Sequence, residues 1–274
     1  KFAIDDIDFY YLNAGTGSQT NSGSGTQSKS LSYFGNVNYV FDDKYMFTGT
    51  LRYDGSSRFG QNTRFGIFPS AAVSWVISKE EFMKGIGFLS NLKLRAGYGV
   101  VGNQAIGDYS RFQLWRPDYV GTVSGFTGTA SGGTAYDING VDTGTLPSGF
   151  RSTQAANDNL KWESTSELNL GIDFGFINQK ITGGFDFFTR ETKNILATPP
   201  ILGVMGEGAN QTVNGATMEN MGWEATLGYA DEAGDFGYYI NANLSHFDDK
   251  ITYLPPSVVR NYPGNTEQTI IGHS

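Results

Sequence analysis

Glu163, Glu167 and Asp173 fall on one side of a stretch of alternating residues, and Asp186 and Arg190 fall on one side of the next. Paired carboxyl groups suit glycoside hydrolysis, which needs two of them about 5 to 10 Å apart beside a sugar-sized pocket. Here the acids recur at even spacings among threonines and asparagines, as polar side chains do along the wet face of a β-strand. They are read as a strand face, not as an acid–base pair. His246 and His273 are far apart, and neither belongs to HExxH or another ligand spacing. Asp5, Asp6 and Asp8 lack the glycine and closing glutamate of a calcium loop. Gly15-Thr16-Gly17 is followed by neither a helix nor the Lys-Ser/Thr of a phosphate loop. No catalytic residue, metal ligand or cofactor is assigned, and the chain is not read as an enzyme.

The elements that hold these side chains are amphipathic strands. From Ser32, every second residue gives Tyr33, Val37, Tyr39 and Phe41 on one face, with Ser32, Asn36 and Asn38 on the other. After Asp42-Asp43-Lys44 the pattern resumes, with Tyr45, Phe47, Leu51 and Tyr53 opposite Thr48, Thr50, Arg52 and Asp54. The segment 160–177 alternates most cleanly, with Trp162, Leu168, Leu170, Ile172, Phe174 and Phe176 against Glu163, Thr165, Glu167, Asn169 and Asp173. Further strands are expected near 29–41, 44–54, 66–78, 91–101, 181–196, 217–230 and 236–248, and a shorter one over 7–14, which makes eight or nine. Long strands on tight turns, apolar on one side and charged on the other, suit the wall of a membrane β-barrel, although a soluble sheet with one wet face alternates in the same way.

Composition agrees. The 274 residues carry 14% aromatics, 37 glycines and no cysteine, a β-rich profile without disulfide, thiol or Cys-type zinc chemistry. Mean hydropathy is −0.30, and no apolar run reaches the roughly 18 residues of a transmembrane helix. A barrel strand crosses with only about 9 to 11 alternating residues. The net charge of −8 argues against nucleic acid as a partner.

Between the strands, 15–30 and 102–159 are rich in Gly, Ser and Thr, and 197–216 contains Pro199-Pro200. Long connections of this kind are commonly functional. Trp115, Arg116 and Tyr119 stand out within the longest, because aromatic faces and a cation suit stacking and polar contact with a sugar or peptide. The segment from Ser78 has Glu81 three residues on, a capping-box spacing that predicts a short helix.

The segments SYFGNVNYVFDDKYMF, LRYDGSSRFGQNTRFGIFPSAAVSWVISKEEFM, NLKLRAGYGVVGNQAIGDY, NDNLKWESTSELNLGIDFGFINQKITGGFDFF and NGATMENMGWEATLGY resemble, in this order, SusC/RagA-type TonB-dependent outer-membrane transporters. The resemblance runs from about Ser32 to Asn243. It implies an all-β fold: an antiparallel transmembrane segment of a large barrel, about 22 strands around a plugged lumen, with long extracellular loops. All of 1–274 is then barrel, and the plug domain and closing strands are absent from this chain. Opening on KFAIDDIDFY with no signal peptide, the chain reads as a stretch from the middle of a longer protein.

The resemblance further implies TonB-dependent import of an oligosaccharide or oligopeptide across the outer membrane of a Gram-negative, Bacteroidetes-like cell. Its partners are a SusD-like surface lipoprotein, the TonB complex acting through the absent N-terminal plug region, and outer-membrane lipids. In that setting Arg52, Asp54, Lys93, Arg95, Glu163, Glu167, Asp173, Asp186, Arg190 and Glu224 face the lumen, and Leu168, Leu170, Ile172 and Phe174 face lipid. Trp115, Arg116 and Tyr119 become candidate substrate contacts. Two other readings compete: a siderophore- or cobalamin-type receptor, whose signatures do not normally include DGSSRFG and KLRAGYGVVGNQ, and a soluble β-rich carbohydrate-binding or adhesin module.

Overall fold

In the computed structural model, which describes residues 25–118, 149–199, 210–261, 264 and 270–273, the alternating stretches are eight long strands in one sheet. They are β1 (Ser30–Phe41), β2 (Tyr45–Ser56), β3 (Phe65–Val76), β4 (Leu89–Asn103), β7 (Glu163–Phe176), β8 (Ile181–Lys193), β11 (Thr217–Ala233) and β12 (Phe236–Tyr253). Two small pairs lie in the connections: β5 (Leu114–Asp118) with β6 (Gly149–Gln154), and β9 (Leu196–Ala197) with β10 (Val213–Asn214). A helix, α1 (Pro256–Asn261), follows β12. Every long strand pairs antiparallel with its neighbour in the order β1-β2-β3-β4-β7-β8-β11-β12, an up-and-down meander whose outer strands among the described residues are β1 and β12, the latter bridged at Ile251 by Ile271. Strands of 12 to 18 residues exceed the length needed to cross a bilayer.

Three short turns and the 77–88 connection gather at one end of the sheet, and the longest connections lie at the other. At the turn end, Asp42 and Asp43 adopt φ of 53° and 50°, and the Lys44 amide donates to the Phe41 carbonyl at 3.0 Å, as in a type I′ turn. Asn178 and Gln179 repeat this geometry, with the Lys180 amide donating to the Ile177 carbonyl. Gly234, at φ 65°, makes the last turn with Asp235; Asp231, expected in that turn, lies inside β11.

The register confirms the two faces. Tyr33↔Tyr53, Tyr39↔Phe47 and Phe41↔Tyr45 match apolar residues across β1 and β2, and Asn36↔Thr50 and Asn38↔Thr48 match polar ones. Only five apolar residues among those described are buried: Phe59, Phe68, Val76, Leu160 and Trp162. The middle of the apolar face stays uncovered, with Leu170 46%, Leu227 53% and Leu244 65% exposed. No described helix is long and apolar enough to cross a membrane, which says nothing of strands.

Two expectations are corrected. Trp162, read as the first residue of the alternating apolar face, is buried at the loop end. Its ring lies 4.8 Å from Phe59 and 5.3 Å from Phe68, and its indole N–H donates to the Arg64 carbonyl at 3.0 Å. The strand begins only at Glu163, so its alternation does not govern Trp162. No capping box forms at Ser78, which lies inside a 3₁₀ turn (Ile77–Lys79) preceded by Val76; a second turn (Glu81–Met83) follows, and Glu81 pairs instead with Lys84 at 2.6 Å. Within the connection from 102 to 159, β5 and β6 pair with each other. The strand expected over 7–14, the loop from 15 to 24 and Asp5, Asp6 and Asp8 lie outside the described residues.

Candidate functional site

Two places on the sheet concentrate polar chemistry: the charged face of the central strands and the hub where the connections meet at the loop end. On the charged face, Arg95 of β4 reaches across β7 to β8. Its Nε and Nη2 donate to the two Asp173 carboxylate oxygens at 2.8 and 2.9 Å, and Nη1 and Nη2 donate to those of Asp186 at 2.9 Å each. Gly171 lies between them, and a Cβ there would sit 2.7 Å from Arg95 Cζ and 2.5 Å from Asp186 Oδ1. The glycine therefore lets the guanidinium lie against the sheet. These side chains are about a third exposed, so water screens the pairs and each contributes on the order of 1 kcal/mol.

Two rows toward the loop end on the same face, Arg190 donates twice to Glu167 Oε2, at 2.9 and 2.7 Å, and beyond it Thr165 and Thr192 share a hydrogen bond of 3.0 Å. Glu163 accepts from Asn103 Nδ2 and from the Leu196 amide. Arg52 pairs with Asp54 two residues along the same strand. Lys93 stands beside Asp173 and Glu224 beside Asp186 in the register, yet neither has an ion-pair or hydrogen-bond partner among the described residues. The ten polar candidates are thus resolved into the Arg95–Asp173–Asp186 clamp, two further ion pairs, a rim carboxylate and two free charges. By register all ten share one face of the sheet, and alternation could not have foreseen which ones pair across strands.

The hub was not legible in the sequence as a packing unit. Pairing of β3 with β4 ends at Ser70↔Gly99, and beyond it Phe59, Phe68, Leu160 and Trp162 pack together with Val100, Ile106 and Leu196 against them. Gly102 carries no side chain because the Phe68 ring occupies that space, 2.1 Å from where a Cβ would stand. The DGSSRFG segment, 54–60, supplies most of the fastening. Arg58 Nε donates to Asp108 Oδ1 at 2.8 Å and its Nη1 to the Gln104 carbonyl at 2.9 Å, holding the Asp108 carboxyl below its ordinary range. The Gly60 amide donates to the Leu160 carbonyl at 2.9 Å, and Thr63 Oγ1 donates to the same oxygen at 2.6 Å. Asn157 Nδ2 donates to the Thr212 carbonyl, which brings in the third connection.

Of the three loop candidates, Trp115 is in β5, 56% exposed, and its backbone pairs with Ser152. Arg116 follows it in β5, opposite Arg151. Tyr119 lies outside the described residues.

Aromatic rings bracket the apolar face. Tyr45 and Trp75 stack at the turn end with centroids 6.3 Å apart, and Tyr53 and Phe65 stack at the loop end at 4.9 Å. Such paired girdles flank the apolar band of a membrane barrel.

A family described as TonB dependent receptor-like, beta-barrel, matches residues 2–270. The TonB-dependent receptor SusC of Bacteroides thetaiotaomicron is 37% identical over 190 residues, covering 69% of this chain and 17% of that protein. The TonB-dependent receptor P39 of Formosa agariphila is 31% identical over 190 residues, covering 69% of this chain and 16% of that protein. The solved RagAB peptide transporter superposes with a TM-score of 0.70 at 26% identity, over 92% of this chain and 26% of that one. This chain spans about 17% of the length of the curated relatives it matches, and those relatives are receptors and transporters rather than enzymes. An uncovered apolar face, a charged opposite face, short turns at one end and these matches converge: the chain belongs to the TonB-dependent receptor β-barrel family, is of the SusC/RagA type, and is part of the wall of an outer-membrane barrel.

Proposed function

We propose that this chain supplies wall, lumen face and outer loops to a TonB-dependent importer of an oligosaccharide or oligopeptide. The observation that carries the reading is the exposure of the apolar face: a soluble sheet would bury Leu170, Leu227 and Leu244, whereas a wall strand presents them to lipid. The charged face, with its Arg95 clamp and the Glu167–Arg190 pair, then lines a wet lumen. The loop end faces outward, because barrel walls keep short turns on the periplasmic side and long loops outside. As the outer strands among the described residues, β1 and β12 suit pairing with further strands of a larger wall.

In this reading the protein is not an enzyme, and it works with a SusD-like lipoprotein at its outer mouth and with the TonB complex through a plug. The DGSSRFG and KLRAGYGVVGNQ segments favour this machine over a siderophore receptor. Purification of the full-length protein in mild detergent should bring down a SusD-like lipoprotein, and deleting the plug should abolish energised uptake. A full-length protein released without detergent and without a partner would overturn the proposal.

A further inference from the structure

The connection from β3 to β4 is fastened against the apolar side of the sheet. The Glu80 carboxylate accepts from Tyr45 Oη at 2.6 Å and from Trp75 Nε1 at 3.0 Å, and meets Lys44 Nζ at 3.5 Å. At its far end, the Phe88 ring stacks 6.1 Å from Phe176, which is 5.4 Å from Phe174, and the Phe88 carbonyl accepts from the Ile177 amide at 2.8 Å. Tyr45, Trp75, Phe174 and Phe176 all belong to the apolar face. Residues 77–88 therefore run along the rim beneath that face, tied down at both ends.

Between the ties the backbone runs through successive tight turns. The amides of Glu80, Met83, Ile86 and Leu89 donate in turn to the carbonyls of Ile77, Glu80, Met83 and Ile86. Successive turns keep the connection compact along the rim, and a backbone paired only in part suits the hydrated headgroup level of a bilayer rather than its hydrocarbon core. Its apolar side chains are nevertheless open: Phe82 is 68% and Phe88 64% exposed, and the adjoining Ile177 is 52% exposed. Ile177 is held at φ 52°, a conformation that β-branched residues avoid, and with its side chain in the open. Lys79 is exposed and forms no ion pair among the described residues. An apolar groove of about 750 Å³ begins at Tyr45 and Trp75 and extends along the same face past Leu94 and Ile172. The exposed apolar surface thus passes from sheet to connection without a break.

We propose that residues 77–88 form an interfacial foot that docks on the phospholipids of the leaflet at the turn end. Phe82 and Phe88 enter the acyl boundary, Lys79 meets the phosphates, and Glu80 clamps the foot to the aromatic girdle. This inference rests on the apolar face being the lipid face. Its commitment to lipid follows from continuity with that face and from the aromatic and lysine pairing of side chains found at a bilayer interface.

The test uses full-length protein reconstituted in phosphatidylethanolamine–phosphatidylglycerol vesicles, on a background otherwise free of cysteine. Nitroxides are placed singly by Phe82→Cys, Phe88→Cys and Leu170→Cys, and their accessibility to oxygen and to a water-soluble nickel complex is compared. The foot predicts that labels at 82 and 88 favour oxygen over nickel, as the label at 170 does. If 170 favours oxygen while 82 and 88 favour nickel, the foot hangs in water and the proposal falls while the face assignment stands. If 82 and 88 are shielded from both reagents, protein such as a second copy covers the foot, and lipid is the wrong occupant. If 170 itself favours nickel, the face assignment fails first.

Discussion

The guanidinium of Arg95 and the bare backbone of Gly171 fit one another: a single methyl on Gly171 would approach Arg95 Cζ to 2.7 Å. Gly171→Ala should therefore push Arg95 off Asp173 and Asp186, at a cost of about 1 to 3 kcal/mol from overpacking. In the full-length protein this reads as a lower temperature for the heat-modifiable gel shift. Combining it with Arg95→Ala should cost less than the sum of the two single effects, because both changes break the same clamp. Strict additivity would show that the clamp and the glycine are independent.

The loop-end hub makes a separate prediction. Trp162→Ala removes a ring packed on Phe59 and Phe68, a loss of about 3 to 5 kcal/mol for a buried aromatic residue. Gly60→Ala would drive a Cβ into the Asp158 carbonyl. Because the hub lies beyond the pairing of β3 with β4, both variants should still assemble, but their outer connections should be cut faster by protease on intact cells. Unchanged cleavage would mean that the hub does not hold the loops.

Acid should loosen the turn end through Glu80. Hydrogen bonds from Tyr45 first, then Trp75, and the charge of Lys44 hold its carboxyl below the ordinary glutamate value of 4.5. A depressed carboxyl contributes stability that is complete above 4.5 and is lost as pH falls through the lower folded value. Glu80→Gln should flatten this acid sensitivity. The check is the gel-shift temperature of parent and variant, near neutral pH and again below the glutamate range; parallel acid profiles would contradict it.

Trp115 tests the loop reading. If its exposed indole contacts the imported molecule, Trp115→Ala should weaken substrate binding, by about 0.5 to 1.5 kcal/mol for a lost aromatic contact, without lowering the amount of folded barrel. Titration calorimetry on the detergent-purified protein measures both. Unchanged affinity would discard Trp115 and leave the wall assignment standing.

Period-two alternation made the strands legible, because each residue's face follows from the residue two before it. Asn36, Asn38, Thr48 and Thr50 fell where the pattern placed them. The pattern was silent where chain direction changes, so Phe59, Leu160 and Trp162 gave no sign that three connections converge on them. The clamp was half legible: Arg95, Asp173 and Asp186 were all assigned to the polar face, but their union depends on register and on the space left by Gly171. The foot was hidden behind a capping-box spacing that matched a helix start, while Glu80, one residue before the expected capping glutamate, makes the decisive contacts.

The most direct test of the central claim, that the apolar face meets lipid and the charged face meets water, compares two neighbouring residues of β7. Leu170 pairs with Phe187 on the apolar face, and Asn169 pairs with Phe188 on the other. An arginine toward lipid near the bilayer midplane costs about 2 to 4 kcal/mol, whereas one toward a wet lumen does not. The amount of folded, heat-modifiable full-length protein in the outer membrane should fall sharply for Leu170→Arg and stay near the parental level for Asn169→Arg. Equal tolerance at the two positions, or the reverse order, would contradict the account.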